Sequence, residues 1–160
     1  MTRNMLAIAL GFVLAGAAAS GASAQLLDKK TVSLAAAKKM AAAAETEATK
    51  NNWAMVVSVF DDGGNIVDLE RMDGAQLGSI AISQAKGHTA LLFKRPTKAL
   101  QDTLNKGNTA LSTMPNMTAV QGGLPIVADG KVIGSIGVSG GTSAQDEQCA
   151  QAGLDALAGK

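Results

Sequence analysis

The chain has 160 residues, 47% of them hydrophobic, with 14 basic and 13 acidic side chains and a formal charge of +1. Balanced charge without a long run of one sign argues against a phosphate-neutralising nucleic-acid surface, and an aromatic content of 2% leaves few rings on which bases could stack. A single cysteine excludes an intrachain disulfide, and a single histidine excludes multi-histidine zinc sites.

Residues 1–24, MTRNMLAIALGFVLAGAAASGASA, begin with basic Arg3, run uncharged from Met5 to Ala19 and close on Ala22-Ser23-Ala24. This pattern predicts a secretory signal peptide cleaved before Gln25, and hence a periplasmic or secreted protein. Its strongly apolar part, Leu6 to Leu14, is short of the roughly 20 residues that span a bilayer, so no membrane association is expected after cleavage. The remaining 25–160 suffice for one domain with its own core.

Ser33 is placed to cap an Ala-rich helix running to about Asn51, with Leu34, Ala37, Met40, Ala41 and Ala44 as its apolar stripe. AMVVSVF (54–60), the turn Asp61-Asp62-Gly63-Gly64 and NIVDLERMD (65–73) then read as a β-hairpin. The second strand of that hairpin mixes charge with apolar residues, which puts it at an edge or beside a site. After a turn at 74–78, Ser79 is expected to cap a helix from Ile80 to about Phe93, with Ile82, Ala85, Thr89 and Leu92 as its apolar face. Pro96 ends it and allows a short helix, Thr97–Leu104, followed by a loop over 105–115 with at most one helical turn.

GGLPIVADGKVIGSIGVSGG (122–141) is a second hairpin, turning at Asp129-Gly130 and framed by glycine pairs that let a ligand or another segment come close. Ser143 and Asp146 resemble a capping box for a last helix, 144–158, in which Cys149 reads as a small buried hydrophobe. The order α–β–β–α–(α)–β–β–α predicts an α+β domain, an antiparallel sheet of two hairpins with packed helices. Ala-rich helices are expected to cover the apolar faces of 124–128 and 132–138 only in part. Packing between subunits, with Ile136 at the contact, would cover the rest in a homodimer or larger even-numbered assembly.

The inventory is poor in catalytic groups, so binding is favoured over catalysis. Ser139 in GVSGG lacks the strand–elbow–helix setting of a serine nucleophile. His88 has the sharpest role available, because neutral imidazole binds haem iron and other transition metals. On a helix it lies about 200° from Lys86, so the two are not expected to share a small pocket. Arg71-Met72-Asp73 allow a turn-fixing ion pair. With Lys86 and the Gly122-Gly123 loop they also allow an aspartate base and a cationic anchor for a carboxylated substrate.

Taken in order, FDDGGNIVDLERMDGA (60–75), IAISQAKGHTALLFKRPT (80–97), GGLPI (122–126) and VIGSIGVSGGTSAQDEQCAQAGL (132–154) resemble the GlcG/HbpS haem-binding family, which is related to the C-terminal domain of PduO-type proteins. The resemblance runs from Thr31 to Lys160. It implies a compact sandwich-like domain on an antiparallel sheet, assembly into dimers or larger rings, and haem binding in some members. Matching positions are Gly63-Gly64, Arg71-Met72-Asp73, Lys86, Thr89-Ala90, Gly122-Gly123 and the run 137–141. Gly87-His88 departs from the family pattern, so His88 inherits no role and no axial ligand carries over.

The expectation is an exported haem-binding protein acting in storage, scavenging or sensing. His88 would be the metal ligand, and Arg71, Met72, Asp73, Lys86, Thr89, Gly122 and Gly123 would belong to the cofactor site. Haem would lie among Met72, Leu77, Leu92, Met114 and Met117, with Arg71 or Lys86 near its propionates. The alternative is a small-molecule lyase or isomerase, or an accessory protein of organic-acid or aromatic degradation.

Overall fold

The computed structural model describes residues 26–159; the expected signal peptide, residues 1–24, lies outside them. The elements are α1 (Leu34–Lys50), β1 (Val56–Asp61), β2 (Ile66–Arg71), α2 (Ser79–Phe93), α3 (Thr97–Asn105), a 3₁₀ turn (Thr109–Thr113), β3 (Gly123–Ala128), β4 (Lys131–Ser139) and α4 (Ser143–Ala158). The strands form one antiparallel sheet in the order β2-β1-β4-β3, so the two hairpins join through β1 and β4. β2 is an edge strand, as its mixed composition predicts. Among the described residues no helix is long and apolar enough to cross a membrane.

Alternation along the strands gives the sheet two unlike faces. Val57, Val59, Leu124, Ile126, Ile136 and Val138 form the main core with Ala37, Met40, Ala41, Ala44, Cys149 and Ala150 of α1 and α4. The opposite face presents Ser58, Phe60, Gly123, Gly137 and Ser139 to α2. The architecture is a sandwich with α1 and α4 on one side of the sheet and α2 on the other.

Small residues set how closely α2 approaches. A Cβ on Gly137 would lie 2.0 Å from the Ser83 carbonyl oxygen, one on Gly123 2.2 Å from that of Lys86, and one on Gly87 2.5 Å from the Phe60 ring. Glycine inside a helix costs about 1 kcal/mol relative to alanine. At Gly87 that cost is offset by letting the helix backbone settle on the sheet.

The buried face of α2 is therefore not the one its hydropathy predicts. Ser79, Ser83, Lys86, Gly87, Thr89 and Ala90 are buried, whereas Ile82 and Leu92 are 42% and 57% exposed; of the expected face only Thr89 is fully buried. A sheet face of glycine and serine is matched by short side chains and hydroxyls, such as Ser83 Oγ, 2.7 Å from Ser58 Oγ.

The helix caps divide between agreement and correction. Ser33 caps α1 as expected, accepting from the Ala36 amide at 3.2 Å. Ser79 does not cap α2, whose N-cap is Gly78; its hydroxyl instead accepts from Ser139. The α4 capping box is Thr142 with Gln145, one residue before the expected Ser143–Asp146 pair, which leaves Asp146 free for another partner.

The second hairpin turns where the sequence predicts, with both Asp129 and Gly130 at positive φ. Its inner face is covered within one chain, contrary to expectation. Leu124, Ile126, Ile136 and Val138 are each at most 5% exposed. Ile136 reaches the α4 backbone, where a Cβ on Gly153 would lie 2.9 Å from its Cδ1. It is a core residue, because α1 and α4 lie close enough to seal that face.

Candidate functional site

The expected site residues fall in three places. At the end of β2, Arg71 Nη2 donates to the Ala75 carbonyl at 2.8 Å, so the turn after the strand is closed by a backbone acceptor rather than by an Arg71–Asp73 ion pair. Met72 is tied to Met55 by its amide, which donates to the Met55 carbonyl at 3.0 Å, and by its sulfur, which accepts from the Met55 amide at 3.4 Å. It packs against the main core.

The second place gathers Lys86, Gly122 and Gly123 around Asp146. Lys86 is 1% exposed, and its Nζ donates to Asp146 Oδ2 at 2.5 Å and to the Val138 carbonyl at 3.2 Å. The other carboxylate oxygen of Asp146 accepts from the Gly141 amide at 3.0 Å. Gly122, at φ 122, passes directly over this pair, and any Cβ there would lie 2.8 Å from Asp146 Cβ and 3.0 Å from Lys86 Nζ. The Gly123 amide donates to Thr97 Oγ1 at 2.9 Å. The glycine pair thus lets the start of β3 cross a sealed ion pair that staples α2 to the first turn of α4. With its ammonium sealed against Asp146 and the Val138 carbonyl, Lys86 is not free to meet a propionate, nor to serve beside Asp73 as the cationic anchor of the lyase or isomerase alternative, which leaves Arg71 for that part. Thr89 is likewise buried, its hydroxyl accepting from the Thr118 amide at 2.8 Å.

The third place is His88. It is exposed on the outer side of α2, away from Lys86, as the helical angle predicts. Its ring meets Phe60 edge-on and has no hydrogen-bond partner among the described residues. Two clefts flank it. One, of about 400 Å³, is lined by Asp62, Gly63, Gly64, Leu91, Leu92, Lys94 and Val132. The other, of about 300 Å³, is lined by Gln84, Ala85, Asn116, Met117 and Thr118. Of the apolar lining expected for haem, Leu92 and Met117 border His88, whereas Met72, Leu77 and Met114 line neither cleft.

The first-hairpin turn forms a rigid edge to the larger of these clefts. Asp61 Oδ1 accepts from the amides of Gly63 and Asn65 at 2.9 and 2.8 Å, and hydrogen bonds from Asn65, ahead of that from Gly63, hold its carboxyl below the usual range. Lys94 is the residue that sequence reading missed. It ends α2 in the left-handed conformation, at φ 51 and ψ 40. The signal available was a basic residue just before the helix-stopping Arg95-Pro96. Cys149 offers no competing thiolate, because burial pushes its pKa up to about 12.

The donor set fits haem: an unpaired imidazole open to solvent, leucine and methionine beside it, and a lysine within the same cleft. Fold and site together define a small α+β sandwich domain with a histidine-bordered surface cleft. The chain belongs to the HbpS-like family, described as haem degrading protein HbpS-like, whose model matches residues 32–155. It is 45% identical to Protein GlcG of Escherichia coli (strain K12) over 103 residues, 64% of this chain and 77% of that protein. The solved structure of HbpS is similar at 34% identity and a TM-score of 0.77, covering 83% of this chain and 94% of that one. A PduOC:haem complex is similar at 29% identity and a TM-score of 0.72, covering 78% and 94%.

Proposed function

We propose that this protein binds haem with His88 as the iron ligand. The observation that carries the reading is the His88 imidazole, free of hydrogen bonds among the described residues and set between two clefts of mixed lining to which Leu91, Leu92 and Met117 bring apolar side chains. Family membership and a haem-bound structural relative support haem as the ligand, while the assignment of His88 rests on its geometry alone. When bound, haem supplies an iron centre able to exchange electrons and take a further ligand. The protein's own part is to orient the imidazole against Phe60 and to shield the macrocycle from water with Leu91, Leu92 and Met117.

The reading includes export after removal of residues 1–24 and a role in haem storage, scavenging or sensing. It also includes a homodimer or larger even-numbered assembly, for which exposed Leu77 and Ile82 supply apolar surface. Titration of residues 25–160 with hemin is expected to give a saturable Soret shift at one haem per chain or per dimer. An unsaturable change rejects the reading. Light scattering that returns a monomer rejects the assembly, and an intact leader on protein recovered from the periplasm or medium rejects cleavage.

A further inference from the structure

A cleft of about 750 Å³ opens beside His88 and shares Asp62, Lys94 and Val132 with the His88 groove. Its floor is the tip of the second hairpin and its roof the lead segment 28–30. Four lysines and three aspartates line it. Lys29 pairs with Asp62 in the first hairpin turn and Lys30 with Asp129 in the second, so the lead segment bridges both hairpin tips. Lys94 and Lys131 have no acidic partner among the described residues. Lys94 also occupies a left-handed helix-terminal position at which glycine is the usual residue.

We propose that Lys94 and Lys131 form an anion subsite for the carboxylate arms of the ligand that His88 holds; resting on the haem reading, those arms are the haem propionates. Arg71 and Lys86, the cations first expected there, are committed to Ala75 and Asp146. Carboxylates seek charge-assisted partners. Lys94 borders both clefts, so a flat ligand beside His88 extends its polar edge toward it. Exposed lysines act through a screened charge, which makes the contribution dependent on salt.

The experiment compares hemin with its dimethyl ester, which lacks the carboxylates, in wild type, Lys94→Glu, Lys94→Gln and Lys94→Glu/Lys131→Glu. The double variant is expected to bind hemin at least tenfold more weakly and the ester within twofold of wild type. Lys94→Gln, which adds no repulsion, is expected to fall between. Wild-type affinity for hemin, but not for the ester, is expected to fall with added salt. Hemin affinity within twofold of wild type in the double variant, with the Soret band unchanged, overturns the subsite and leaves the haem reading standing. Absence of saturable hemin binding by wild type overturns both.

Discussion

The imidazole of His88 stands edge-on to the buried ring of Phe60, with centroids 4.5 Å apart and planes at 83°. A side chain that faces solvent is thus oriented by one that does not. The same Phe60 ring lies where a Cβ on the preceding residue, Gly87, would have to go. Edge-to-face pairs contribute about 0.5–1.5 kcal/mol beyond area burial, enough to bias an exposed ring toward one orientation.

His88→Ala is expected to abolish low-spin Soret features and weaken hemin binding at least tenfold, while loss of the Phe60 contact lowers the melting temperature by only a few degrees. Absorption spectra across a hemin titration check this. Wild-type spectra in the variant would exclude His88 and direct attention to a methionine, lysine or surface site.

Lys86→Met is expected to destabilise the fold by about 3–5 kcal/mol, because it strands the Asp146 carboxylate where water cannot reach it. Replacing both partners, as Lys86→Met/Asp146→Leu, is expected to cost less than the sum of the single changes. Urea denaturation of the four proteins gives the coupling. Simple additivity would contradict a pair whose cost lies in an orphaned charge.

Gly87→Ala would stabilise an exposed helix by about 1 kcal/mol. Here the sign is expected to reverse, with a loss of about 1–3 kcal/mol from overpacking against Phe60. Gly137→Ala is expected to be worse, since the obstacle is the Ser83 carbonyl, which cannot rotate away. Thermal melts decide the sign, and a more stable Gly137→Ala variant would refute the close approach of α2.

The register places Asp68 opposite Val59 and Glu70 opposite Val57, on the face that packs against α1 and its Glu45. Burial raises the Glu45 pKa most, and the charges of Glu70 and Asp68 raise it further. The folded protein therefore holds this proton more tightly than the unfolded chain. The associated stability is present below the ordinary glutamate value of about 4.3 and is lost as pH rises through the folded value. Glu70→Gln is expected to reduce that loss, so its melting temperature gains on wild type as pH rises from about 4 to 7. Calorimetry across this range checks it; an advantage that shrinks with pH would contradict the sign.

Much of the fold was legible because it is written in local chemistry. The Asp129-Gly130 turn, the Ser33 cap, the charged edge strand and the alternation in β1 and β4 each reflect a residue acting on its immediate neighbours. The candidate site was legible in part. His88 stands out as the single imidazole, and its angular separation from Lys86 follows from the helical repeat. The glycine pair at 122–123 marks a close approach, but its partner proved to be a sealed ion pair rather than a ligand.

By itself, the sequence determined two hairpins, their flanking helices, the family and one candidate iron ligand, since turns, caps and periodicity are short-range properties of the chain. Tertiary structure decided which face of α2 is buried, because the sheet beneath it is glycine and serine, and hydropathy along a helix carries no information about the shape of the opposing surface. Tertiary structure also decided which cations are available. Lys86 and Asp146 are 60 residues apart, and their contact removes one expected anchor. Lys94 meets the second-hairpin tip across one cleft, which is why it is proposed in place of Lys86. Such pairings arise only when distant segments are brought together around a common core, and nothing in either local sequence records them.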